Sequence, residues 1–240
     1  RVAVETLVKG MPEHALIVLA GEVTLDGEAP DYEVIARETA VRIGYDNHAI
    51  GMDASSEDLC LVDVNITTQS ANIAQGVDGE SLDDVGAGDQ GMMFGYACNE
   101  NDSFMPSAIY YSHKITKALS TARHGGQDWM GPDGKAQVTV EYSNVNKPVR
   151  ISNVICSTQH SKDLKDNPGE VQKRVEKIIK PELNDMFDDH TIFQVNPTGN
   201  FVTGGPDGDT GVTGRKIIVD TYGGYAPHGG GAFSGKDCTK

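Results

Sequence analysis

Between residues 92 and 195 the apolar positions recur every second residue, then every third or fourth, then every second again, and this switching limits the possible folds more than any other feature. "MMFGYAC" reads as a strand. Pro106 starts a helix with Ala108, Ile115, Leu119 and Ala122 facing inward, and Gly125 and Gly126 end it. "KAQVTVEYS" and "VRISNVICST" alternate as two strands. Asn167-Pro168 opens a second helix through Val171, Val175, Ile178 and Ile179, which Pro181 stops, and "TIFQV" is a closing strand. The order β-α-β-β-α-β predicts an α+β domain with its helices on one sheet face.

The preceding residues repeat part of that order. Val2, Val4 and Val8 alternate with Ala3, Glu5 and Lys9 as a half-buried strand, and Ala15–Leu25 is a more apolar strand. Pro30-Asp31 opens a helix with Ile35, Ala36, Ala40 and Ile43 inward and Val34 and Val41 outward; Gly44 stops it, and Leu59–Ile66 returns as a strand. Thr67–Gly91 is long, polar and without a period, which predicts a functional lid or a boundary between domains. Arg215–Tyr222, "RKIIVDTY", reads as the first strand of a third cycle.

With 38% hydrophobic residues, 240 residues suffice for one large core or two smaller ones, and the net charge of -15 argues against a broad nucleic-acid surface. An anion must therefore be held by local cations and backbone N–H groups. Cys60, Cys98, Cys156 and Cys238 are far apart, which predicts free thiols in a reducing compartment, and no apolar run is long enough for a membrane helix. The cytoplasm is the expected location. Arg1 already stands in a strand-like pattern and Lys240 follows a glycine loop, so the chain is expected to be a piece of a longer protein.

Three glycine-rich stretches are the candidates for chemistry. Gly230–Lys236 spells G-x-x-x-x-G-K, but Asp237 stands where a P-loop has Ser or Thr; a phosphate loop and a plain turn both remain open. Gly199–Lys216 places six glycines around Asp207, Asp209, Arg215 and Lys216. Such loops let backbone N–H groups approach an anion, with Arg forking onto phosphate oxygens and Lys supplying a compact charge. "GAGDQG" (Gly86–Gly91) is the third, centred near Asp89. "PDGK" (Pro132–Lys135) carries a hairpin-type turn signal, and Glu22 stands in an apolar strand, where a carboxylate is costly unless paired or used.

Together "GAGDQGMMFGYACNE", "GPDGDTGVTGRKIIVDTYGG" and "HGGGAFSGKD", with "STQHS" and "QGVD", resemble the S-adenosylmethionine synthetases. The resemblance implies three similar α+β domains about a pseudo-threefold axis, the first and third incomplete here. Their expected limits are 1–70, a gate or linker at 71–83, 84–202 and 203–240. It implies a transferase that joins ATP to L-methionine by sulfur attack on C5′ and then hydrolyses the released triphosphate. Mg²⁺ and K⁺ are the implied cofactors, and the implied assembly is a homodimer or homotetramer with its active site between subunits. Neither nucleic acid nor membrane is an expected partner.

Carried over residue by residue, the resemblance places Lys135, Arg215, Lys216 and Lys236 as the implied catalytic cations. Asp133, Asn200, Phe201, Asp209 and Ala232 join them at ATP. Glu22, Gln69, Asp89, Asp209 and Lys240 fall on the methionine side, and Glu5 at the K⁺ site. Asn200 departs from the family, which has a basic residue before the aromatic. The family's "GHPDK" motif and the metal-binding aspartate beyond Lys240 lie outside this sequence. A second expectation follows: an inactive homologue that pairs with a complete subunit. A third is a residual triphosphatase.

Overall fold

The computed structural model describes residues 1–79, 81–183 and 186–240, so position 80 of the expected 71–83 linker lies outside the described residues. The chain divides into two compact units. Unit 1 contains residues 1–94, 205–221 and 227–240; unit 2 contains 95–204 and 222–226.

In unit 1, β1 (Val2–Gly10) and β2 (Ala15–Val23) form an antiparallel hairpin, α1 (Tyr32–Ile43) follows, and β5 (Cys60–Thr67) returns parallel to β2. The two-residue strands β3 (Asp46–Asn47) and β4 (Met52–Asp53) pair with each other, and the sheet order is β5-β2-β1-β9, with β9 spanning Gly211–Val212. Asp31 caps α1, its carboxylate accepting the Val34 N–H at 3.1 Å, and Gly44 ends the helix at φ +112°.

The helix lies over one sheet face, where Ala15, Ile17, Ala40, Met52, Ala54 and Cys60 form the core with Val8, Leu19, Ala36, Val41 and Val62 around them. The inward stripe is thus Ala36, Ala40 and Val41, whereas Ile35 and Ile43 are nearly half exposed. Small side chains let the helix approach the sheet, which rotates the larger ones outward.

Unit 2 repeats the arrangement: hairpin, helix, parallel strand. α3 (Ser107–His124) precedes the antiparallel pair β6 (Met130–Tyr142) and β7 (Pro148–His160); α4 (Pro168–Ile179) follows, and β8 (Ile192–Val195) lies parallel to β7. Ile115 and Leu119 of α3 and Val171, Val175 and Ile179 of α4 pack onto Val138, Ile151, Val154 and Cys156. Asn167 caps α4 through the Glu170 N–H, with Pro168 at the first helical position.

Several sequence expectations need correction. "MMFGYAC" enters no ladder among the described residues, and Met92 and Met93 are about two-thirds exposed; an apolar run becomes a strand only where a neighbouring strand accepts it. Arg215–Tyr222 is a series of turns instead of a strand. Asp220 N–H donates to the Lys216 carbonyl at 2.9 Å and Thr221 Oγ1 to the Ile217 carbonyl, so local hydrogen bonds replace a ladder. The 67–91 loop holds a short helix, α2 (Ala71–Val77), capped by Ser70 and anchored by buried Val77. "PDGK" lies inside β6 at a register shift, next to Gly131, where a Cβ would stand 2.4 Å from Gln159 Oε1.

Candidate anion-binding site

In an antiparallel strand, alternate residues present both backbone groups to the same neighbour. On β1 those turned away from β2 are Val2, Val4, Thr6 and Val8, and each is taken by a glycine-rich segment. Val8 and Leu7 pair with Gly211 and Val212. The Thr6 carbonyl accepts the Thr213 N–H at 2.9 Å, and the Thr6 N–H donates to Thr213 Oγ1 at 2.7 Å. Val4 N–H donates to the Gly235 carbonyl at 2.8 Å, and the Val2 carbonyl accepts the Asp237 N–H at 3.0 Å. One strand edge thus fixes both the Arg215 and the Lys236 segments.

Two glycines make the fit possible. Gly235 has φ +76°, and a Cβ there would stand 2.1 Å from the Val4 carbonyl oxygen; Gly214 has φ +77°, and a Cβ would meet Ala232 at 2.8 Å. The second contact joins the two segments directly. The third glycine stretch arrives through Gly88, whose N–H donates to the Thr239 carbonyl at 2.7 Å beside Lys240, four residues past Lys236.

Asp237 settles the question its position raised. Its Oδ2 accepts the Val2 N–H at 2.5 Å, and its Oδ1 accepts both the N–H and the hydroxyl of Thr239 at 2.8 and 2.7 Å. Burial pushes its pKa up, but the hydrogen bonds from Thr239 and Val2 outweigh that and hold it at about 2. Its two oxygens thus join the loop to β1 at Val2 and close the loop's own turn at Thr239. It substitutes for no P-loop hydroxyl; it locks the turn after Lys236.

Lys236 pairs with Ala3 across the edge, which puts its side chain on the face that carries Ala3 and Glu5, and its ammonium forms an ion pair with Glu5. Glu22 stands opposite Ala3 on β2, on that same face, and it is exposed. The expected cost of a carboxylate in the middle of an apolar strand is therefore not incurred, because β2 reaches solvent by Glu22.

Arg215 and Lys216 are exposed; Arg215 Nη1 donates to the Thr210 carbonyl at 3.4 Å, and Lys216 Nζ to the Arg215 carbonyl at 3.5 Å. Asp209 and Asp89 are exposed and accept the N–H of the residue that follows each. Gln69 is buried at 8% exposure, with both side-chain amide atoms unpartnered. A buried amide with nothing to bond is costly, so Gln69 is suited to a polar ligand.

Unit 2 holds the remaining candidates. Lys135 is exposed opposite Ser157, on the sheet face away from the helices. Asp133 N–H donates to Gln159 Oε1 at 3.4 Å, while Gln159 Nε2 donates to the Val202 carbonyl at 3.0 Å. The Phe201 N–H donates to His160 Nε2 at 3.1 Å, and Nδ1 of that ring donates to the Ser161 carbonyl at 3.0 Å. Gln159 and His160 thus tie the 200–202 segment, with exposed Asn200, to the "PDGK" segment. Beside them a cavity of about 170 Å³ is lined by Ser120 and Arg123 of α3, by Asp133 and by Thr158.

Asp237 stands out in the sequence as the residue in place of a P-loop hydroxyl, and Gln159 and His160 lie within "STQHS", but none of the three has a positioning role legible there, and Thr213 carries no signal of its own. Among the described residues no three His, Cys, Asp or Glu side chains converge to hold a metal ion, and Glu5 has Lys236 on its carboxylate. The described residues thus present no preformed carboxylate cluster for a divalent ion.

With this geometry in place, comparison with known families gives two matches. Residues 84–201 match the model described as S-adenosylmethionine synthetase, central domain, and residues 203–240 match S-adenosylmethionine synthetase, C-terminal domain.

Proposed function

The chain belongs to the S-adenosylmethionine synthetase family, and from that premise we propose that it carries the polyphosphate-binding part of a methionine adenosyltransferase. The observation that supports this best is the use of a single strand edge, β1, to hold the Arg215 and Lys236 segments against each other. Among the described residues no helix is long and apolar enough to cross a membrane, and we place the protein in the cytoplasm.

On this reading ATP and L-methionine are the substrates. A thioether has no proton to remove, so attack of sulfur on C5′ needs alignment and a stabilised leaving group, with no general base. Alignment is worth about 7–11 kcal/mol in favourable cases. Lys135, Arg215, Lys216 and Lys236 serve the triphosphate charge, Arg215 and Lys216 also its later hydrolysis. Asp133, Asn200, Phe201, Asp209 and Ala232 contact the nucleotide; Glu22, Gln69, Asp89, Asp209 and Lys240 receive methionine. The orphaned amide of Gln69 supports its part in this assignment.

The domains we read as 1–70, 84–202 and 203–240, related by a pseudo-threefold axis, with 71–83 as a gate. The face of the unit 1 sheet turned away from α1, where Leu7, Leu16, Val18 and half-exposed Leu61 share one side, supports self-association. A dimer or tetramer is the proposed assembly. The same face supports the second reading, a subunit that only pairs with a complete partner.

Incubation with ATP, methionine, Mg²⁺ and K⁺ is expected to give S-adenosylmethionine, phosphate and diphosphate. Arg215→Ala should slow turnover about 100-fold, the scale for losing one transition-state donor. Absence of S-adenosylmethionine, with co-purification of a full-length family member, would establish the pairing reading instead.

A further inference from the structure

Glu5 stands where a cation ligand was expected, yet the structure gives its carboxylate a different partner. Lys236 lies opposite Ala3 on the edge of β1, and Glu5 is two residues further along on the same face. That diagonal spacing is within reach of a long side chain, and the small Ala3 leaves the path open. The resulting Lys236–Glu5 ion pair has one member mostly covered, the lysine side chain at 22% exposure, and one half in solvent, the glutamate at 54%.

The loop geometry leaves Lys236 little choice of face. Gly235 is locked on Val4, and Asp237 on Val2 and Thr239, so the residue between them is fixed at both neighbours. Its ammonium meets an acceptor on β1 before any ligand arrives.

We propose that Glu5 is the internal counter-ion and positioning residue of Lys236, occupying in the free protein the place that a phosphoryl oxygen takes on binding. A polyphosphate then binds by exchange: it takes the ammonium, and Glu5 is released to solvent. No covalent step is involved. The pair keeps the cation oriented on an acidic chain and tunes affinity downward, since an anion must displace a carboxylate already in place. This rests on the polyphosphate reading of the Lys236 loop, and the test separates the two.

The probe is inorganic tripolyphosphate, titrated calorimetrically into the protein and its variants. Glu5→Gln, which keeps the shape and removes the charge, should tighten binding about 2–5-fold, the range expected for a partly exposed ion pair. A merely structural Glu5 would weaken it. In a Lys236→Ala background the same Glu5→Gln change should have under half that effect in fold terms, because the lysine is no longer there to be released. Weaker or unchanged binding in Glu5→Gln overturns the proposal.

A second measurement needs no ligand. Amine-selective acylation read by mass spectrometry should modify Lys236 faster in Glu5→Gln than in the parent. Equal rates overturn the counter-ion role even if tripolyphosphate binds. Should tripolyphosphate fail to bind every variant, the polyphosphate reading fails, and the acylation rates still decide the ion pair.

Discussion

Units 1 and 2 use the same sequence of moves, an antiparallel hairpin, a crossing helix and a strand returning parallel to the second hairpin strand, yet they place their polar residues differently. Unit 2 covers its inner sheet face with two helices, α3 and α4, and its core contains fully buried aliphatic side chains, among them Ile115, Ile151 and Ile179. Its outer face is mostly polar: Lys135, Gln137 and Thr139 stand opposite Ser157, Ile155 and Asn153. Unit 1 packs only α1, among its described helices, into its sheet core, which is smaller and rich in alanine, and its outer face is apolar in the middle and charged at the end where Glu5, Glu22 and Lys236 lie. The same topology thus serves as a packed scaffold in one case and as a frame for loops in the other.

The largest expected contrast is in stability. Ile115→Ala in unit 2 should cost about 2–5 kcal/mol, while Ile17→Ala in unit 1 should fall at or below the lower end of that range because its surroundings are small and can close in. The sole tryptophan, Trp129, lies in unit 2 beside the Arg174 guanidinium and packs against that core. Urea unfolding followed by its fluorescence should show the first substitution strongly. Equal shifts from both would break the distinction between the units.

Next in size is the loop lock. Gly235→Ala forces a Cβ against the Val4 carbonyl at a positive φ, a strain of about 1–3 kcal/mol. Because it acts on an edge, the expected outcome is faster hydrogen exchange at Val2, Val4 and Thr213, with the Trp129 transition unmoved. A shift of the Trp129 midpoint by the full amount would show that the units unfold as one.

Acid should act on the same lock. The Asp237 carboxyl is held at about 2, below the ordinary aspartate value of about 3.9, so its contribution is complete above about pH 4 and disappears as pH falls through about 2. Asp237→Asn, which cannot accept the Val2 N–H in the same way, should cost about 1 kcal/mol at neutral pH and remove that acid-dependent step. Exchange protection at Val2 and Thr239 across pH 2–5 checks both. An unchanged pH profile in the variant would assign the acid response elsewhere.

How much of this the sequence disclosed follows from the range of the forces. Asp31, Gly44 and Asn167 mark helix ends by local hydrogen bonds and backbone preference, and they mark them correctly. Val171, Val175 and Ile179 give the inward stripe of α4 for the same reason. The stripe of α1 was legible only in part: Ala36 and Ala40 face inward as read, but Ile35 and Ile43 outrank Val41 in hydrophobicity while the packing distance favours the smaller residues. The two false strands could not be recognised: "MMFGYAC" and "RKIIVDTY" have strand composition, but pairing depends on a partner distant in sequence. The cations Arg215 and Lys236 stood out among glycines. Thr213 looks like an ordinary loop residue, and Asp237 like a departure from a P-loop, until the edge of β1 is beside them.

The smallest expected difference concerns thiols, and it tests the packing of each core without altering it. Cys60 in unit 1 and Cys156 in unit 2 are both fully buried, whereas Cys238 is exposed and Cys98 intermediate. Burial alone pushes the Cys156 thiol up to about 12. It also raises Cys60, but there the Arg37 guanidinium partly opposes it. Thiolate is the reactive form, so alkylation at pH 8 should modify Cys238 first, Cys60 slowly and Cys156 last. If Cys156 reacts before Cys60, the two-helix core of unit 2 opens more readily than the one-helix core of unit 1. The contrast between scaffold and frame would then have to be reversed.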